Sequence, residues 1–379
     1  MAFSLATGHA SFFKSVMFLL TSLSLLTGAM VFTSCAAQAS GFGAADAPVS
    51  ESSGSNANEQ SHPHAFKRDE KINVAVAANF AKPLRNIAEQ FTLLTGIDVA
   101  VTVSSSGTLY AQIQHGATFD VFLSADRARP QALAENNLVH KNNVVDYAKG
   151  KLAFVYSGDL SDAQSCEHAA GETKEQRNVQ RTDCLSKQLI QLIENPQNKL
   201  AIANPKLAPY GIAAQQTLQN LSLWQPFLPH RVMGKNVLQT LQFYTTGSVK
   251  GAFVAYSLAL DLPSNFASTV DVNNVASTTV ISPVPEILYQ PIIQSLVVNS
   301  KTAAALTPNL FDVLATSEPQ ALEELGNKHK QEATKQFNLS DANGVSSASL
   351  FVQYLMSQGV QHSFIEWGYE PVNTIGVGQ

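Results

Sequence analysis

Between residues 72 and 126 the chain alternates two hydrophobic periodicities, and that alternation restricts the fold more than any other feature. INVAVAA, residues 72–78, is a short apolar run of strand character. Phe80, Leu84, Ile87, Ala88, Phe91 and Leu94 then recur at helical spacing. Pro83 falls in the first turn, where its missing N–H costs least, and Gly96 ends the helix. DVAVTV (98–103) reads as a second strand. After SSSG a second helix runs from about Thr108 to His115, and FDVFLSAD (119–126) is a third strand. Strand, helix, strand, helix, strand with short connections predicts a largely parallel sheet with helices on its faces.

The scheme returns further on. KLAFVYS (151–157) opens a new segment, and KLAIANP (199–205), helices near 212–221 and 237–246, and KGAFVAYS (250–257) form a second α/β unit. TVISPVPE and YQPIIQSLVVNS, within 279–300, read as strands, and 350–369 as a final helix with a short tail. Residues 158–185 and 302–345 are polar and read as insertions. A chain of 379 residues that is 45% hydrophobic is long enough for two cores. With a formal net charge of -5 and no basic run, nucleic acid is excluded as a partner.

The N-terminus has the layout of a secretory signal peptide: Lys14, then an uncharged apolar run over 16–32, then small residues. The run is shorter than a spanning helix requires. Two processing readings stay open over residues 1–35 and the residues just beyond. Ala37-Gln38-Ala39 is an A-x-A cleavage site, whereas Phe32-Thr33-Ser34-Cys35 resembles a lipobox that would lipidate Cys35. Residues 36–70 are small and polar and read as a disordered linker. The His62 and His64 pair inside it reads as solvated. Of the three cysteines, Cys166 and Cys184 remain after processing, an even pair in an oxidising compartment, so a disulfide between them is expected.

The chemistry is suggested by four strand-to-helix junctions of one design. Ala77-Ala78-Asn79 precedes the first helix and Ser104-Ser105-Ser106-Gly107 the second. Ala208-Pro209-Tyr210-Gly211 and Gly234-Lys235-Asn236-Val237 precede two helices of the second unit. Each is read as putting free backbone N–H groups and a capping side chain at a positive helix end. Any one alone is an ordinary cap. Open parallel sheets, however, place ligands at the carboxyl ends of their strands, and four such ends facing one cleft would bind an anion.

INVAVAANF, VSSSGTLYAQIQHGATFDVFLSAD, KLAIANPKLAPYGIAAQQTLQ, GKNVLQTLQF and GAFVAYS, in that order, resemble the molybdate-binding proteins of bacterial ABC importers. These are exported type II periplasmic binding proteins. The resemblance covers most of 71–300 and the helix at 350–369, but neither insertion. It implies an α/β fold of two domains, each a mostly parallel sheet flanked by helices, with the ligand cleft between them. Domain I would hold 71–153 and 290–379, and domain II 154–289, joined by crossovers at KLAFVYS and YQPIIQSLVV.

The resemblance further implies a tetrahedral oxyanion, molybdate or tungstate, held by Ala78, Asn79, Ser106, Tyr210 and Val237. Asn79 would contact the ligand beside the Ala78 backbone, Ser106 would donate its hydroxyl, and Val237 its backbone N–H. Members with Ala at the third junction supply a tyrosine from the strand near 255. Here that position is Ala255, so Tyr210 supplies the phenol, and Tyr256 falls one residue off. The expected partners are a membrane permease and its ATPase, with a monomeric binding protein, no cofactor and no direct metal ligand. The membrane is touched only through a lipid on Cys35.

A fully deprotonated anion offers only acceptors, so a site of donors alone suits it. None of the four junctions carries Asp or Glu, which argues against a protonated anion such as hydrogen phosphate. Sulfate and tungstate stay open as ligands. No G-x-S-x-G, H-E-x-x-H or Walker loop is present, and Asp120 and Asp126 sit at opposite ends of one strand, so no enzyme is expected. A surface lipoprotein that makes only protein contacts is the remaining alternative.

Overall fold

The computed structural model describes residues 71–158, 173–262, 278–304 and 345–372. All of them lie in one compact unit, His64–Gln379. The apolar runs form two sheets. In the first, β1 (Lys71–Ala77) lies between β2 (Asp98–Ser104) and β3 (Val121–Leu123). β10 (Ile292–Val298), β4 (Val144–Gly150) and the short β11 (Glu370–Pro371) extend it beyond β3. In the second, β6 (Leu200–Ala203) lies between β7 (Arg231–Gly234) and β8 (Gly251–Ala255). β5 (Leu152–Gly158) and β9 (Thr278–Pro283) complete it.

Both sheets are mixed. The β1–β2, β1–β3, β6–β7 and β6–β8 pairs are parallel, as the strand–helix alternation demands. The strands contributed by the crossing chain, β10 and β5, run antiparallel to their neighbours. The chain leaves the first sheet at Gly150, enters the second at Leu152, and returns between Pro283 and Ile292. Two α/β domains therefore share two connections, the two-domain arrangement that the resemblance implied.

In the first domain α1 (Ala81–Thr95) packs its Leu84, Ile87 and Phe91 stripe on the sheet and ends at Gly96 with a φ of 73°. α2 (Ser106–Gln114) and α3 (Ala128–Glu135) follow β2 and β3. The polar insertion read over 158–185 is helical from Lys174 onward. Thr173 and Gln176 form a capping box, and α4 (Lys174–Glu194) buries Leu185 and Leu189 against the second domain. Local capping and a sparse apolar stripe suffice for a helix that mean polarity hides. α5 (Pro209–Asn220) and α6 (Val237–Thr245) complete the second domain.

The closing helix is two helices. α7 (Ser347–Met356) ends at Ser357, whose φ of -63° and ψ of 150° are extended, and α8 (Gln358–Ser363) starts after it. The tail then returns to the sheet as β11, which carries Tyr369 inward beside Phe80. Phe80 meets the rings of Tyr147, Phe364 and Tyr369 edge-on at 5.0–5.2 Å. Such pairs add about 0.5–1.5 kcal/mol each beyond area burial. They pin the turn Ala78–Phe80 that follows β1.

The leader and linker, with Cys35, His62 and His64, and residues 305–344 of the second insertion lie outside the described residues. Cys184, on α4, is disulfide-bonded. Cys166, its expected partner, lies outside the described residues.

Candidate functional site

The three serines of SSSG divide their work. Ser104 ends β2. Ser105 is the N-cap, accepting from the Thr108 N–H at 3.2 Å. Ser106 is 1% exposed, and its Oγ accepts from the Ala125 N–H at 2.9 Å. A hydroxyl has one hydrogen and two lone pairs, so an N–H on its oxygen leaves its hydrogen to be donated elsewhere.

The first turns of the helices can be counted donor by donor. In α2 the Gly107 N–H reaches the Leu207 carbonyl at 2.8 Å and the Thr108 N–H reaches its cap. Ser106 keeps its N–H. In α5 Pro209 has none, Gly211 reaches the Ala208 carbonyl at 2.9 Å, and Tyr210 keeps its own. In α6 Asn236 caps Gln239 at 2.9 Å, and Val237, 3% exposed, stands at the first helical position with no carbonyl of its helix in reach. Among the described residues, no acceptor takes the Ser106, Tyr210 or Val237 N–H.

These junctions converge. Ala78, Ala125, Ala208, Tyr210 and Val237 belong to one buried cluster. The Gly107–Leu207 bond ties the second junction to the third, and α6 packs on the turn Ala78–Phe80, tying the fourth to the first. Ser257 in the second domain donates to the Tyr369 hydroxyl at 2.8 Å, and Lys82 pairs with Asp261 across the same seam. The domains are therefore in contact at this seam.

Asn79 is placed differently from its sequence assignment. It is buried, but its Nδ2 donates to Gln294 Oε1 at 2.8 Å and to the Tyr369 hydroxyl at 3.2 Å. Both amide hydrogens are thus spent on protein acceptors. What Asn79 keeps for a ligand is its main-chain N–H, beside that of Ala78. Its Oδ1 is buried and without a partner among the described residues. Tyr210, 2% exposed, accepts from Gln294 Nε2 at 3.4 Å, which leaves its phenol hydrogen free.

A family model of bacterial extracellular solute-binding proteins matches residues 72–324. The chain belongs to that family. The molybdate-binding protein ModA of Rhodobacter capsulatus is 33% identical over 255 residues, 67% of this chain and 85% of that one. ModA of Azotobacter vinelandii is 37% identical over 187 residues, 49% of this chain and 65% of that one. The solved periplasmic molybdate-binding protein of Azotobacter vinelandii aligns with 75% of this chain and 97% of its own, at 24% identity and a TM-score of 0.45.

Among the described residues, the candidate site carries no charged side chain. Lys235 is exposed at the start of α6. Asp126, two residues before α3, accepts from the Arg129 N–H at 3.1 Å and pairs with the Arg129 guanidinium. Asp120 accepts from the Asn73 N–H at 2.6 Å and so holds β3 to β1. Burial pushes the Tyr210 and Tyr369 phenols well above their ordinary range, so both remain protonated donors. Among the described residues no group of three or more His, Cys, Asp or Glu side chains gathers to hold a metal ion.

Tyr256 begins a helical turn after β8 ends at Ala255, rather than continuing the strand. Gln294, Tyr147 and Tyr369 were not anticipated beside the candidate site. Gln294 is fully buried beside Ser295 in a mostly apolar strand, and a long polar side chain at such a position was the signal available.

Proposed function

We propose that this protein captures molybdate from outside the cytoplasm and delivers it to an ABC importer by closing the cleft around it. The observation that carries the reading is the state of the two site hydroxyls. Ser106 and Tyr210 each have an N–H on the oxygen, so each presents a hydrogen, beside the uncommitted N–H groups of Val237 and Tyr210. Such a set matches an anion that only accepts. Helix ends favour negative charge without a cation, and closure removes the water that would weaken each contact. The ModA relatives support molybdate as that anion.

In this reading Ala78, Asn79 and Val237 bind through main-chain N–H groups, and Ser106 and Tyr210 through hydroxyls. Tungstate, of nearly equal size and charge, binds as well. The closed form is what the permease recognises, and the ATPase belongs to the permease, so this chain itself catalyses nothing and uses no cofactor. The protein acts as a monomer outside the cytoplasm, with Cys166 and Cys184 joined and Cys35 as the point of lipid attachment.

Thermal denaturation with molybdate, tungstate, sulfate, phosphate and buffer alone tests it. A ligand at a hundredfold its dissociation constant adds about 2.7 kcal/mol. Shifts with molybdate and tungstate alone support the reading, and no shift with either refutes it. The unpartnered Asn79 Oδ1 favours a second reading, a ligand that carries a hydrogen. A shift with phosphate instead of molybdate would select it.

A further inference from the structure

Gln294 joins both domains through its side-chain amide. Its Oε1 accepts from Asn79 at 2.8 Å and from the Tyr147 hydroxyl at 3.0 Å, while its Nε2 faces Tyr210 at 3.4 Å. The ladder is irregular at this point. Gln294 pairs with Ala148 but Ser295 pairs with Asp146, so Tyr147 is the extra residue of a bulge. Bulges beside binding sites re-aim side chains. Here the bulge sets Tyr147 against Gln294.

The order of donors along this chain of side chains is determined by one atom that can only accept. The Tyr369 hydroxyl lies 2.8 Å from the Asn79 main-chain carbonyl, so its single hydrogen goes there. Its oxygen must then accept, from Ser257 at 2.8 Å and from Asn79 at 3.2 Å. The Asn79 atom at that position is therefore the nitrogen, and the Gln294 atom facing it is the oxygen. That leaves the Gln294 nitrogen toward Tyr210. Gly150 makes room for the meeting: a Cβ there would lie 2.1 Å from the Tyr210 hydroxyl and 2.7 Å from Gln294 Nε2.

Building on the oxyanion reading above, we propose that Gln294 is a positioning and specificity-determining residue. Its N–H occupies an acceptor position of the Tyr210 hydroxyl and so leaves the phenol hydrogen for the ligand, which favours oxyanions that arrive without a hydrogen. Tyr369 and Asn79 fix the orientation of Gln294, and Ser257 adds its hydrogen bond to Tyr369 only when the domains meet. The donor pattern is thus completed by closure.

A double-mutant cycle tests this by calorimetric titration of the full chain with molybdate and with phosphate. Gln294→Leu is expected to weaken molybdate binding about tenfold in the wild-type background and less than twofold in Tyr210→Phe, because its effect runs through the phenol. Gln294→Glu keeps the acceptor for Asn79 but turns an acceptor toward Tyr210, so the phenol donates inward. It is expected to shift the molybdate-to-phosphate affinity ratio at least tenfold toward phosphate, and to leave that ratio unchanged in Tyr210→Phe. If Gln294→Leu does not fold, the Gln294→Glu pair decides alone. Losses that multiply in the double variants, or a ratio shift that persists without the phenol, overturn the proposal. Wild-type protein that binds no oxyanion overturns the proposed function instead, and the inference with it.

Discussion

The Gly107 N–H donates to the Leu207 carbonyl at 2.8 Å, joining the helix start of one domain to that of the other. A Cβ on Gly107 would lie 2.9 Å from that oxygen and 3.0 Å from the Leu207 Cα, both backbone atoms that cannot swing aside. Gly107→Ala therefore opposes closure while leaving each domain intact. Overpacking of this kind costs about 1–3 kcal/mol. Molybdate affinity is expected to fall roughly 5- to 100-fold, with an unchanged far-UV spectrum. Calorimetry with circular dichroism checks both, and wild-type affinity would show that the contact does not belong to the bound state.

Ser106→Ala removes two interactions at once. The ligand loses a hydroxyl donor, worth about 1.5–3 kcal/mol to a charged acceptor, and the buried Ala125 N–H loses its own acceptor. Affinity is expected to drop about 10- to 100-fold, and the ligand-free melting temperature to drop as well. A variant that melts like wild type would mean that Ala125 finds another acceptor, and undiminished affinity would remove Ser106 from the site.

Gly150 has no left-handed φ, so alanine there is excluded by space alone. The clash falls on Tyr210 and Gln294. Gly150→Ala is expected to keep its secondary structure and to lose at least tenfold in molybdate affinity. Equal binding by the variant would show that Tyr210 does not need this seat.

The two chain crossings are bridged by charge. Lys149 reaches Glu286 and Glu370, each at 2.9 Å, and Lys151 reaches Glu370 at 2.9 Å. Partial burial works against the Glu370 charge, but Lys151 and Lys149 hold its carboxyl below the usual range. Partial burial likewise opposes the Lys149 charge, and Glu286 and Glu370 raise its pKa above the usual value. The carboxylate contribution is present above about pH 4.3 and is lost as pH falls through the depressed value. The lysine contribution is present below about pH 10.4 and is lost as pH rises through the raised value. The groups are partly exposed, so the effect stays within about 1 kcal/mol. Glu370→Gln should lower the melting temperature at pH 7, and by less at pH 3. An equal deficit at both pH values would assign the loss to packing.

What sequence could reveal was whatever local pattern determines. The parallel cores and the helix starts follow from periodicity and capping, and Ser106, Tyr210 and Val237 lie at those starts. The helix at Lys174–Glu194 was hidden by its polarity, although Thr173 and Gln176 carried its cap. β4 and α3 were not separated from their polar surroundings. The inward turn of the Asn79 amide was beyond reach, because it depends on Gln294 and Tyr369, more than 200 residues away in sequence. A bulge and a returning tail bring those partners in, and neither leaves a local signature.

The measurement that tests the central claim most directly is a crystal structure with molybdate, its metal located by anomalous scattering. The account predicts one site, with ligand oxygens about 2.7–3.1 Å from Ser106 Oγ, the Tyr210 hydroxyl and the Val237 N–H nitrogen. Molybdate bound elsewhere, or held by the first domain alone with the cleft open, would contradict it.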